Sequence, residues 1–163
     1  MLSPIIKNIV NDVDLDRLQE LVTKSETRPD LGFEVTTRWT GQFRSESRPG
    51  PIRMGDGELL ERHHVILADE PEQILGSNEA PNPQELLMAA RNSCMTVGYV
   101  AGAAKRGINL SRIESRPMRQ GLGRYMFFCD LEGKEDDRLV AEAIAQLRTK
   151  AESVRILGSY PVG

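Results

Sequence analysis

Apolar positions recur along the chain in two rhythms, one helical and one alternating, and they mark out its elements. Over residues 13–22, Val13, Leu15, Leu18, Leu21 and Val22 fall on one helical face, with Asp12 placed to cap it. Residues 33–40 are rich in β-branched and aromatic side chains, Gly41-Gln42 turns the chain, and a returning strand runs from Phe43 to Pro49-Gly50-Pro51. Gly55-Asp56-Gly57 is a second turn signal, and residues 58–68 read as a third strand ahead of a polar loop, 69–81. Asn82-Pro83-Gln84-Glu85 then joins a capping side chain, a proline at the first helical position and a carboxylate three residues on, which predicts the start of a long helix. Leu87, Ala90, Cys94, Val97, Ala101 and Ala104 follow at spacings of three and four and form one stripe that ends near Gly107. Small residues on its flanks, among them Ala89, Ser93, Gly98 and Gly102, suit close approach to another backbone.

Beyond Gly107 the alternating rhythm predicts strands over 109–116 and 124–132, joined by a turn at Gly121-Leu122-Gly123. Asp136 or Asp137 caps a helix that carries Leu139, Val140, Ala143, Ile144 and Leu147, and 154–160 predicts a last strand. Strands and helices in this order argue for an α+β sandwich, and 163 residues fit a single domain.

Charge narrows the partners. Lys and Arg number 21 against 24 Asp and Glu, a net charge of -3, so no basic field exists to hold a phosphate backbone and nucleic acid is excluded as a partner. The most apolar stretch, 86–104, is interrupted by Arg91, Asn92 and Ser93, which reads as a buried helix and not a membrane span. The first residues lack the basic start and sustained apolar run of a secretory signal. Cys94 and Cys129 are too few for a disulfide framework, and no cysteine or histidine pattern has metal-ligand spacing. The expected compartment is the cytoplasm, with no metal and no cofactor.

Cys94 is the strongest nucleophile on a well-defined element. It lies about three turns into its helix, beyond reach of the helix dipole. A thiol of ordinary pKa, ~8.5, is only about 3% thiolate at pH 7, so catalysis there requires a neighbouring cation. Arg91 sits three positions earlier, and the first hairpin offers Arg38, Arg44 and Arg48. The competing reading makes Cys94 a small core residue, as free cysteines commonly are. Cys129 shares a strand face with Tyr125, Phe127 and Leu131, which suits packing. His63 and His64 point to opposite faces of their expected strand, poor geometry for a shared metal or a triad. Glu85 is explained by the capping box, and the same position would also let it orient an arginine.

Residues 1–106 resemble the OsmC and organic hydroperoxide resistance family. The likeness is carried by Leu75-Gly76-Ser77-Asn78-Glu79-Ala80-Pro81-Asn82-Pro83-Gln84-Glu85-Leu86-Leu87, by Asn92-Ser93-Cys94-Met95-Thr96, and by Val35-Thr36-Thr37-Arg38-Trp39-Thr40-Gly41. The resemblance implies antiparallel strands around long central helices in an intertwined homodimer, and thiol-dependent reduction of organic hydroperoxides in a stress response. Cys94 would be the peroxidatic thiol, Arg44 its activating cation and Glu85 the carboxylate that holds the arginine. The family's glutamate ten positions before the cysteine is Gln84 here, and Ala151 stands where the resolving cysteine belongs, so an external thiol would reduce the sulfenic acid.

Residues 107–163 resemble a different family, the ACT regulatory domain at the end of prephenate dehydratases. Here the likeness rests on Asn109-Leu110-Ser111-Arg112-Ile113-Glu114-Ser115-Arg116-Pro117, on Tyr125-Met126-Phe127-Phe128-Cys129-Asp130-Leu131 and on Leu157-Gly158-Ser159-Tyr160-Pro161. It implies that Glu114-Ser115-Arg116-Pro117 borders a phenylalanine effector site and that Cys129 packs where valine is common. The first strand and the other effector motif of that domain are not found. The two resemblances meet at a junction near 105–107, which leaves a second function open: a non-enzymatic ACT-like regulatory or dimerisation module, or an inert OsmC-fold chimera.

Overall fold

The computed structural model describes residues 8–27, 31–55, 57–118 and 124–161. In chain order its elements are β1 (Ile9–Val10), β2 (Val13–Asp14), α1 (Leu15–Thr27), β3 (Val35–Gly41), β4 (Arg44–Pro49), β5 (Ile52–Arg53), β6 (Leu59–Leu60), β7 (Ile66–Ala68), α2 (Pro83–Ala104), β8 (Leu110–Pro117), β9 (Tyr125–Leu131) and α3 (Arg138–Arg148), with a single 3₁₀ turn at Glu72–Ile74. This is a mixed α+β architecture of small antiparallel sheets and helices. The chain divides into two compact units, residues 19–92 and residues 1–18 with 93–163.

In the 19–92 unit, β3, β4 and β7 form a three-stranded sheet in that order, and β5 pairs with β6. The first hairpin has the expected limbs, and its turn is possible because Gly41 and Gln42 both take positive φ, 114° and 49°. Trp39 closes the turn by donating its indole N–H to the carbonyl of Gln42 at 2.8 Å. The expected third strand over 58–68 is divided: Leu59–Leu60 pairs with β5, Ile66–Ala68 pairs with β4, and residues 61–65, with both histidines, belong to neither sheet. The first helix also differs from expectation, since Asp12 sits at positive φ and Asp14 accepts the N–H of Arg17 in its place.

Both ends of α2 follow the local chemistry. At its start Glu85 N–H donates to Asn82 Oδ1 at 2.8 Å and Asn82 N–H donates to Glu85 Oε2 at 2.9 Å, a reciprocal capping box. At its end Gly107, with φ 66°, allows Ile108 N–H to reach the carbonyl of Ala103 and its own N–H to reach that of Ala104. That is the Schellman arrangement. The apolar stripe between the caps is not a buried one: Ala104 is enclosed, but Leu87 and Val97 are 73% and 68% exposed.

In the other unit, β8 and β9 pair from Leu110↔Leu131 to Pro117↔Tyr125, with a bulge between Leu110 and Arg112. The turn expected at 121–123 lies outside the described residues. Ala104, Ile108 and Val140 are the buried apolar side chains among those described, so the end of α2 and the start of α3 hold the core of this unit. Gly133 supports it by close approach, since a Cβ there would come within 3.0 Å of Val140. Residues 154–160, expected to be a strand, are without secondary structure. A strand exists only if an edge takes up its backbone groups, and no ladder forms there.

Candidate functional site: a charged hairpin face and a sheet cleft

Antiparallel pairing sends residues 112, 114 and 116 to the same side of the hairpin as 126, 128 and 130, and residues 113, 115, 125, 127 and 129 to the other. The second side meets α2. Tyr99 packs on Phe127 with ring centroids 5.0 Å apart at 47°, and burial pushes the Tyr99 hydroxyl's pKa up. Cys129 shares this side opposite Ile113. Its residue keeps surface in solvent, yet the packing around the sulfur, with the charge of Asp130, pushes its thiol upward too. An inert structural thiol fits those surroundings.

The first side is a ladder of charges. Glu114 is held between Arg116, whose Nε donates to Oε1 at 2.5 Å, and Arg112, which donates to Oε2. Arg116 foremost, then Arg112, brings the Glu114 carboxyl down to about 2. Arg112 also faces Asp130 across the ladder at 3.8 Å. The guanidinium of Arg116 lies over the ring of Phe128, 5.4 Å from its centroid, so one residue joins an ion pair to a cation–π contact. An arginine fork beside an aromatic ring suits a ligand with a carboxylate and an apolar side chain.

In the 19–92 unit the hairpin arginines are shared out among carboxylates. Glu46 takes Arg48 at 2.8 Å and Arg38 at 3.5 Å, which holds its carboxyl below the usual range, Arg48 contributing most. Arg44 Nη1 pairs with Glu79 at 3.0 Å. Next to them Asp69 is fully buried and accepts three backbone N–H groups, from Glu70 at 2.8 Å and from Ser77 and Glu79 at 3.1 Å each. Those bonds, that of Glu79 foremost, hold Asp69 ionised below the ordinary carboxylate range against the opposing effect of burial. Asp69 thereby organises the loop leading to α2, and nothing in the spacing of 69, 70, 77 and 79 announces it.

The residues expected to serve a peroxidatic thiol are placed as follows. Cys94 is exposed on α2, so the competing reading of it as a buried core residue does not hold. Arg44 finds its carboxylate in Glu79 and not in Glu85, and Glu85 is engaged with the backbone of Asn82. Among the described residues no group of three His, Cys, Asp or Glu side chains is arranged to hold a metal ion. No helix among them is long and apolar enough to cross a membrane.

Comparison with known proteins points to one of the two resemblances. The family model of the ACT domain matches residues 104–149. The chain is similar to the prephenate dehydratase of Mycobacteroides abscessus, 40% identical over 147 residues, covering 83% of this chain and 43% of that protein. The prephenate dehydratase of Mycobacterium tuberculosis is 36% identical over 120 residues, 72% of this chain and 37% of its own length. That of Mycobacterium avium is 57% identical over 58 residues, 36% of this chain and 18% of its own length. The chain thus spans less than half the length of these relatives. The organic hydroperoxide reductase reading, with its stress-response role, is overturned: the matching domain is a regulatory one and these relatives are dehydratases. What the chain carries is an ACT-like segment, and the charged hairpin face lies within it.

Proposed function

We propose that this chain is a non-enzymatic regulatory module of the ACT type that recognises an amino-acid effector on the β8–β9 hairpin. The observation that carries the reading is the position of Arg116. It falls inside the ACT-like segment, in the Glu114-Ser115-Arg116-Pro117 run, and sits beside Glu114 and over Phe128. Its guanidinium offers donors to a carboxylate, and the adjacent ring offers apolar surface to an aromatic side chain. Phenylalanine is the effector that the resemblance suggests, and the prephenate dehydratase relatives supply the biochemical setting.

A homodimer belongs to the same reading. A two-stranded hairpin is marginal by itself, and β8 and β9 form a sheet of only those two strands among the described residues. A second copy would extend the sheet and bring two effector faces together. Titration of the chain with L-phenylalanine in a calorimeter tests the proposal. A saturable heat that disappears in Arg116→Ala is expected, and light scattering should give twice the chain mass. Absence of any heat with the unaltered chain would remove the effector role.

A further inference from the structure

The sheet of the 19–92 unit has an open edge. β3 pairs with β4 on one side, and among the described residues no strand lies against its other side. Residues 31–40 are all exposed. Such edges are usually blunted by proline, by charge or by a covering loop, because their free N–H and C=O groups are a template for another strand. β3 holds no proline, and Arg38 is its one charge. The chain just before β3 fixes which groups face outward. Gly32 exchanges both its N–H and its C=O with Arg53, and the Glu34 carbonyl accepts the Gly50 N–H, so the even positions turn their backbone groups inward. By alternation, the N–H and C=O of Phe33, Val35, Thr37 and Trp39 face outward. These odd positions also share one side-chain face, on which Phe33, Val35 and Trp39 are 71%, 59% and 74% exposed.

A second copy of the same edge is complementary to it in one register. In an antiparallel pair about a two-fold axis at Thr36, Val35 opposes Thr37 and Phe33 opposes Trp39, so outward groups meet outward groups and the apolar faces join. Glu34 then opposes Arg38 of the second copy, and opposite charges across a ladder attract. Arg38 reaches Glu46 of its own chain at 3.5 Å, but its side chain is 71% exposed, which leaves guanidinium donors for a second carboxylate. An axis at Arg38 would set two guanidinium groups against each other, and an axis at Thr37 would leave Glu34 and Arg38 opposite threonines. We propose that β3 pairs edge to edge with β3 of a second copy about Thr36, joining two three-stranded sheets into one. The interface lies in the 19–92 unit and does not depend on the β8–β9 homodimer or on the effector role given to Arg116.

Cross-linking of the full chain tests the pairing. Cys94→Ser and Cys129→Ser first remove both native thiols, so that an introduced cysteine reports alone. About the proposed axis the two copies of Thr36 have Cα atoms ~4.5 to 5.5 Å apart, within disulfide range. The two copies of Thr40 are roughly 27 Å apart, eight residues of strand. Under oxidised glutathione, Thr36→Cys should form covalent dimer at least tenfold faster than Thr40→Cys. Arg38→Glu should slow the Thr36→Cys dimer at least fivefold, and adding Glu34→Arg should restore it. Positions 34 and 38 of one chain are ~13 Å apart along the strand, so this rescue acts between copies. Equal rates at 36 and 40 would leave the edge to a strand of another protein and overturn the pairing of two copies. No slowing by Arg38→Glu, or no rescue by Glu34→Arg, would overturn the register and the proposal with it.

Discussion

Asn11 completes the backbone hydrogen bonding of Leu110 from 99 positions away in the chain. Its Oδ1 accepts the Leu110 N–H at 2.6 Å, and its Nδ2 donates to the carbonyl of Ile108 at 2.9 Å. The side-chain amide imitates a passing strand, pinning the tip of the β1–β2 hairpin to the start of β8. Asn11 itself sits at φ 54°, where asparagine is among the few residues tolerated without strain.

Two substitutions separate these roles. Asn11→Gly keeps the backbone conformation and removes the bridge, so it should cost about 1–3 kcal/mol, the usual consequence of leaving part-buried partners unpaired. Asn11→Ala loses the bridge and adds backbone strain of roughly 1 kcal/mol, so it should be the less stable of the two. Urea denaturation measures both, and equal stability of Asn11→Gly and the unaltered chain would show that the bridge contributes nothing.

Acid should loosen the charged hairpin face. The Glu114 carboxyl is depressed to about 2 in the folded chain, against an ordinary value of 4.5, through its bonds to Arg116 and Arg112. A depressed carboxyl pKa contributes stability that is complete above the ordinary range and is lost as the pH falls through about 2. An NMR titration of the Glu114 side chain should therefore find it ionised at pH 3.5. Arg116→Ala should move its midpoint upward, since Arg116 is the foremost cause of the shift.

Gly76 is required for its lack of a side chain. A Cβ at this position would lie 1.7 Å from the carbonyl oxygen of Glu70, an overlap with backbone that no rotamer relieves. Gly76→Ala must push the loop open, and it should cost about 1–3 kcal/mol, as overpacking does. The amides of Ser77 and Glu79, now bonded to Asp69, should lose hydrogen-exchange protection in the variant.

Cys129 should react sluggishly. The packing around its sulfur and the neighbouring Asp130 raise its thiol pKa above the ordinary range, which lowers the thiolate fraction at neutral pH. Mass spectrometry after timed iodoacetamide treatment at pH 7 should find Cys129 labelled more slowly than a free cysteine peptide. Cys129→Val, close in volume and in keeping with the strand, should change stability by less than about 1.5 kcal/mol.

Short-range chemistry was legible in the sequence. The Asn82–Glu85 box, the Gly107 terminus of α2 and the turn at Gly41-Gln42 each depend on residues a few positions apart, and the limbs of both long hairpins follow the alternation within each strand. The ACT-like segment was legible as well, from the runs around Arg116 and Phe128, whereas the resemblance over residues 1–106 pointed to a chemistry that the relatives do not bear out. Only the tertiary structure decided which partner each group took. Arg44 met Glu79 across 35 residues, Asn11 met Leu110 across 99, and Asp69 gathered three N–H groups from a loop with no capping signature. Residues 58–68 and 154–160 show the same limit, because alternation prepares a strand but an edge must accept it. Local hydrogen bonds select themselves from neighbours already within reach. Long-range ones are chosen among many partners only when the chain closes and excludes the rest.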